Sequence, residues 1–389
     1  MRQEALKSLF PIMVERRRYL HRHPELSFKE QKTSAYVADV LTKLGIDIIV
    51  GVGGNGIIGT IRGQLPGKTV ALRADMDALP IQDEKTCDYA SQVPGVMHAC
   101  GHDGHTAVLL AVAEYFSARK EALHGEIRLL FQPAEEVCPG GALSMIEAGA
   151  LDGVDVIYGV HLWTPIPVGT AASRPGPLMA STDEFFIELS GRGGHGGMPH
   201  AAIDSVVAGA ALVMQLQSIV SRSVNPLDPA VVTIGSIHGG TAQNVIADTC
   251  RLAGTVRCFH EETRQRIRER IEQLAQGTAQ AYGAGVSIEY MTGYPSLVNH
   301  QPEFERFEQI AAKEAGLAVE LSAQIMPAED FAYYLQRVPG CFMLVGAGNP
   351  EKNATYPHHH PKFDIDEDAM LHAAGLLIAM AQAFQSDRQ

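Results

Sequence analysis

The chain has 389 residues and a formal charge of −13, from 31 basic and 44 acidic side chains. No long basic run offsets that charge, which argues against a nucleic-acid partner and leaves solubility as the simplest consequence of the acidity. With 46% hydrophobic and 19% charged residues, the chain is not a disordered one and is long enough for two or three domains with sizeable cores.

Residues 1–24 mix charge with apolar residues at helical spacing and lack the unbroken apolar core of a signal peptide. No unbroken apolar run approaches the ~18–20 residues of a membrane span, so a cytoplasmic location without a membrane partner is expected. The six cysteines are too scattered for a disulfide framework. The pattern predicts one helix ending before His23-Pro24 and a second over residues 29–44, stopped by Gly45. Strands follow over 56–61 and 69–73. Residues 104–116 (GHTAVLLAVAEYF) are apolar nearly all round, which predicts a helix buried against a sheet. The runs 126–131 and 155–160 are short and only weakly alternating, as expected of strands covered on both faces. Strands interleaved with helices predict a mostly parallel α/β sheet.

From Asp183 the order changes to strand, helix, strand, strand, helix, strand, the ferredoxin-like pattern. Its second helix places Ile267, Ile271 and Leu274 on one face. Arg174-Pro-Gly-Pro177 and Gly293-Tyr-Pro295 flank it as hinges. The reading is a first domain over 1–180, an inserted domain over 181–293, and completion of the first domain over 294–389.

The densest chemistry is His98-Ala-Cys-Gly-His-Asp-Gly-His105, with three His, one Cys and one Asp in eight residues. Thiolate and imidazole are the usual donors to zinc-like ions. The cluster feeds the N-terminus of the 104–116 helix, whose dipole is expected to favour a Cys100 thiolate. Gln132-Pro-Ala-Glu-Glu136 ends an apolar strand; burying two adjacent carboxylates costs several kcal/mol unless a cation compensates. Asp75-Met-Asp77 follows the 69–73 strand, His161 follows the 155–160 strand, and His358-His-His360 precedes Pro361. Ligands of open α/β sheets gather at the C-terminal ends of strands. A cleft holding all of these has too many donors for one closed tetrahedral site, and suits two ions ~3.5–4 Å apart.

These stretches, with His21-Arg-His-Pro-Glu-Leu26, Gly191-Arg-Gly-Gly-His195 and Gln243-Asn-Val-Ile246, resemble the aminoacylase-type amidohydrolases. That group comprises hippurate hydrolases, N-acyl-amino-acid amidohydrolases and auxin-conjugate hydrolases, a branch of the di-zinc exopeptidases. The resemblance implies a di-metal exopeptidase-like α/β catalytic domain with an inserted ferredoxin-like lid and dimerisation domain. It implies two divalent ions, zinc first, with Mn, Co or Ni also suited to the donors. It implies Cys100, His102, Glu136, His161 and His359 as metal ligands, with Cys100 bridging. His359 is taken over its neighbours because it stands two residues before the Pro. It also implies Glu135 as general base, Asp77 as orienting carboxylate and His195 as a group polarising the scissile carbonyl, often across a dimer interface. Asn244 and Arg257 become substrate-binding groups, Arg because its planar fork pairs both carboxylate oxygens. His98, His105 and His200 are left as supporting or structural. The implied substrate is a small N-acyl amino acid, and the implied assembly a homodimer or dimer of dimers. N-acetyl-diaminopimelate deacetylase, dipeptidase and a non-catalytic metal-dependent binding protein are the alternatives.

Overall fold

The computed structural model describes residues 2–386, and the chain separates into two compact units. The first comprises Met1–Leu178, Val298–Ala323 and Asp330–Gln389; the second comprises Met179–Leu297 and Gln324–Glu329.

The first unit is built on an eight-stranded sheet. Its order is Asp47–Val52, Gly56–Arg62, His124–Gln132, Leu65–Asp75, Val156–Pro167, Gly340–Gly348, Thr170–Ser173 and Ala318–Leu321. The centre is parallel: Leu65–Asp75 lies between His124–Gln132 and Val156–Pro167, which in turn pairs with Gly340–Gly348. Central strands of this kind are covered on both faces, which explains their near-continuous apolar runs; every residue of Gly340–Gly348 is buried. The strand read as 155–160 continues to Pro167, so His161 lies inside it rather than after it.

Helix His102–Ser117 buries 14 of its 16 residues. It packs with helices Arg2–Arg22 and Asp368–Ser386. One buried ionic knot joins the first two: Arg17 Nε meets Asp103 at 2.9 Å, and its other nitrogens meet Asp364 and Glu367 at 2.5 and 3.2 Å. Breaking such a knot from one side strands the remaining charges, at about 3–5 kcal/mol. His21 adds its Nδ1 to Asp103 at 2.7 Å.

The second unit carries a four-stranded antiparallel sheet in the order Ala230–Gly239, Thr249–Cys258, Ser181–Ser190, Gly285–Thr292. Helices Ser205–Ser218 and Glu261–Tyr282 complete its core, with Ile267 and Ile271 fully buried and Leu274 at the margin. Asp204 caps the first helix by accepting from Val206 and Val207 N–H. The segment Gln324–Glu329, assigned from sequence to the first domain, groups here instead. Ala180 N–H donates to Ile325 O and Pro327 O at 3.1 Å, a pairing between residues far apart in sequence.

Two helical stretches, Ser205–Ser223 and Asp368–Ser386, are long and apolar enough to cross a membrane by length and composition. Isolated polar residues interrupt both, so neither is an unbroken apolar run. Asp368–Ser386 is a core helix of the first unit.

Candidate dinuclear metal site

Three segments of the first unit deliver the site. Leu65–Asp75 ends in Asp75 and leads to Asp77, both buried. His124–Gln132 leads through Ala134 to Glu135, also buried. Ala134 holds a left-handed backbone at φ 54°, unusual for a residue with a Cβ. Val156–Pro167 carries His161, and helix His102–Ser117 begins on His102.

The potential donor atoms fall into overlapping groups. Cys100, His102 and His161 form one, and Cys100, Glu136 and His359 another; within each, the donors lie within 4.8 Å of one another, and Cys100 is common to both. Cys100 Sγ is 3.4 Å from His161 Nε2, and His359 Nε2 is 3.4 Å from Glu136 Oε2. A third group joins His102, Glu135 and Glu136. His102 Nε2 lies 3.9 Å from Glu135 and 3.8 Å from Glu136 Oε1. His102 Nε2 and Glu136 Oε1 are buried and have no hydrogen-bond partner among the described residues. Two such polar atoms facing each other beyond hydrogen-bond range are what a cation-binding site requires, since unpaired buried polar atoms are otherwise costly. The residues therefore fit divalent ions.

The surrounding hydrogen bonds prepare those donors. His102 Nδ1 faces Asp77 O and Oδ1 at 3.0 and 3.2 Å, which turns Nε2 toward the cluster. Asp77 Oδ2 also accepts from Glu136 N–H at 3.0 Å and from Ser27 Oγ at 2.7 Å. His105 bridges Asp75, through Nδ1 at 2.7 Å, and Leu162 N–H, which donates to Nε2 at 2.9 Å. Arg73 meets Asp75 at 2.5 Å and Asp330 at 2.9 Å. Asp330 gathers Gln132 and Ala142 N–H as well. The three neighbouring histidines have distinct contacts. His358 stacks on Trp163 at 4.4 Å, with Nε2 3.1 Å from Leu162 O; His360 stacks on Tyr356 at 4.6 Å; His359 alone of the three faces Glu136. His98 is buried with neither ring nitrogen partnered among the described residues, and burial lowers its pKa to about 4. His200 is exposed.

The surroundings of Cys100 oppose one expectation. Burial, reinforced by Glu136, Glu135 and Asp75, pushes the Cys100 thiol well above its ordinary pKa, so the dipole does not yield a free thiolate. A helix terminus is worth ~0.3–1 kcal/mol when exposed, too little to offset burial among three carboxylates. Burial works to lower the His102 pKa, but Asp75, Asp77 and Glu136 outweigh it and raise it to about 10. His161 is held neutral by burial and by His105. Ions bind thiolate and neutral imidazole, so loading near pH 8 is expected to expel about two protons per chain, from Cys100 and His102. Apparent affinity rises with pH until both the His102 imidazolium and the Cys100 thiol have lost their protons. Calorimetry in buffers of different ionisation enthalpy measures this; a proton count near zero would contradict it.

Of the remaining predicted residues, His195 and Asn244 lie on adjoining segments of the second unit. His195 pairs with Val245, and Gly196 N–H donates to Asn244 O at 2.8 Å. His195 is exposed, and its Nδ1 accepts from Gly197 N–H at 3.0 Å. Arg257 lies on Thr249–Cys258, with Nη1 against the Thr182 and Thr255 hydroxyls. Sequence reasoning missed Ser27, Glu30 and Asp330; the Glu25–Glu30 stretch offered only the motif beginning at His21, and Asp330 offered no local signal.

Thiol, imidazole and carboxylate donors gathered at the strand ends of a partly parallel α/β sheet define a metallohydrolase of exopeptidase architecture. The model of peptidase family M20/M25/M40 matches residues 71–383, and the chain belongs to that family. It is 40% identical over 368 residues to thermostable carboxypeptidase 2 of Saccharolobus solfataricus, covering 94% of this chain and 93% of the relative. It is 48% identical over 284 residues to an N-acyl-L-amino acid amidohydrolase of Geobacillus stearothermophilus, covering 73% and 77%. A Bacillus subtilis crystal structure described as a dinuclear metal-binding peptidase of the M20 family superposes with a TM-score of 0.85 at 36% identity, covering 97% of this chain and 99% of that one. The chain is thus an enzyme of the M20 hydrolase family.

Proposed function

We propose that this chain hydrolyses the amide bond of N-acyl amino acids, releasing a carboxylic acid and a free amino acid. The observation that carries the proposal is Glu135, a buried carboxylate beside the donor groups that share Cys100. Cys100, His102, Glu136, His161 and His359 would hold two divalent ions, zinc first and Mn, Co or Ni next. Bound there, the ions supply Lewis acidity to the water and to the scissile carbonyl. Glu135 takes a proton from the attacking water and returns it to the leaving nitrogen. Asp77 holds the His102 ring in the tautomer that leaves Nε2 free. His195 polarises the carbonyl, and Asn244 and Arg257 receive the substrate's carbonyl and carboxylate. The exposure of His195 is compatible with its acting across a homodimer interface. We assign the enzyme to the cytoplasm.

The C-terminal residue of any peptide is itself an N-acyl amino acid. The carboxypeptidase and amidohydrolase relatives thus bear names for one kind of amide with different acyl groups, and this common chemistry supports the reading. The test is a panel of N-acetyl- and N-benzoyl-amino acids, N-acetyl-diaminopimelate and dipeptides, run on metal-stripped protein reloaded separately with Zn, Mn, Co and Ni. Fastest turnover of simple N-acyl amino acids is expected. No hydrolysis by any loaded form would refute the proposal, and a dominant rate on dipeptides would make the enzyme a dipeptidase.

A further inference from the structure

The stretch Glu25–Glu30 lies far in sequence from every proposed ligand, yet it holds the two segments on which the site depends. Ser27 Oγ donates to Asp77 Oδ2 at 2.7 Å, and the same oxygen accepts Glu136 N–H at 3.0 Å. Glu30 is fully buried. Its Oε1 accepts from Ala134 N–H and Phe28 N–H, each at 2.9 Å, and its Oε2 accepts from Asn55 Nδ2 at 3.0 Å. Ala134 and Phe28 are both left-handed, at φ 54° and 65°. Such backbone persists only where the surroundings over-determine it. A parallel bridge between Leu26 and Ala78, with Ala78 N–H donating to Glu25 O at 2.8 Å, fixes the stretch beside Asp77.

We infer that Ser27 and Glu30 are positioning residues for hydrolysis: Ser27 acts through Asp77 on His102 and on the Glu136 backbone, and Glu30 pins the left-handed Ala134 turn that aims Glu135 and Glu136. The inference rests on the roles given above to Glu135 and Glu136. Neither residue is needed to touch substrate. Ser27 fixes the carboxylate whose Oδ1 faces the His102 imidazole and whose Oδ2 accepts the Glu136 N–H. Glu30 supplies an acceptor to the buried Ala134 N–H. A carboxylate is used because Phe28, Ala134 and Asn55 present three donors at once. A neutral amide retains one oxygen for Ala134, whereas a methyl group retains none.

The test compares kcat and KM of metal-loaded Ser27→Ala, Glu30→Ala, Glu30→Gln and Glu135→Gln on the best N-acyl amino acid, with metal content and thermal midpoint recorded for each. Ser27→Ala is expected to lower kcat roughly 10-fold at unchanged KM, the scale of outer hydrogen-bond losses around metal ligands. Glu30→Ala is expected to lower kcat on the order of 100-fold, the cost of an ångström of misplacement, with Glu30→Gln recovering most of it. A purely structural role would lower the thermal midpoint and leave kcat per folded molecule and KM as in wild type. Wild-type kcat in Ser27→Ala and in folded Glu30→Ala, alongside inactive Glu135→Gln, overturns this inference and leaves the proposed function standing. Wild-type kcat in Glu135→Gln removes Glu135 from the mechanism, whereas no hydrolysis by any metal-loaded wild-type form overturns the proposed function itself. If Glu30→Ala does not fold, Ser27→Ala and Glu30→Gln decide the matter.

Discussion

Glu135→Gln is expected to lower kcat by about 10³-fold or more, within the ~10²–10⁴ attributed to a positioned general base. The substitution is nearly isosteric and removes only the ability to take a proton. The side chain is buried at 7% exposure, with Oε2 3.9 Å from His102 Nε2. Bulk water is therefore a poor substitute at that position. Glu135 also stands in a donor group with His102 and Glu136, so it has a competing role as a ligand. Metal analysis separates the two. A base leaves two ions bound and loses turnover, whereas a ligand loses ion content together with turnover. KM is expected to hold, because proton transfer is confined to the transition state. A variant with wild-type kcat and two ions would remove Glu135 from the mechanism.

Much of this geometry is legible along the chain because its signals are local. Apolar runs at 126–131 and within Gly340–Gly348 mark strands covered on both faces, and the dense motif from His98 to His105 announces metal donors. What remains hidden is long-range. Nothing near Asp330 in sequence indicates that it would meet Arg73, Gln132 and Ala142 N–H beneath the site. Burial there raises its pKa to about 6 even against Arg73. Glu30 reads as an ordinary charged residue at a helix start until folding brings Ala134 to it. Likewise, no periodicity reveals that Gln324–Glu329 pairs with residues beside Ala180. The state of Cys100 is hidden for another reason: the three carboxylates that oppose a thiolate reach it only through folding.

Cys100 is the position where one atom has the widest consequences, because its sulfur is common to the group with His102 and His161 and the group with Glu136 and His359. Replacement with Ala is expected to leave fewer than two ions per chain. Turnover should then fall further than the ~10–100-fold of an outer-sphere change. His359→Ala, by contrast, touches only the group with Glu136, and is expected to retain one ion. Cys100→Asp is the informative rescue. A carboxylate offers two oxygens in place of one sulfur, and an ordinary Asp gives up its proton ~4 units lower than a Cys. Two ions should bind again, with roughly one proton fewer expelled than in wild type and with affinity that declines less on acidification. Partial turnover should return with the second ion. The measurements are metal content after dialysis, proton count by calorimetry, and kcat on the same substrate. Two ions in Cys100→Ala would show that the donor groups do not depend on a shared sulfur, and the dinuclear assignment would then have to be rebuilt around His102, Glu135 and Glu136.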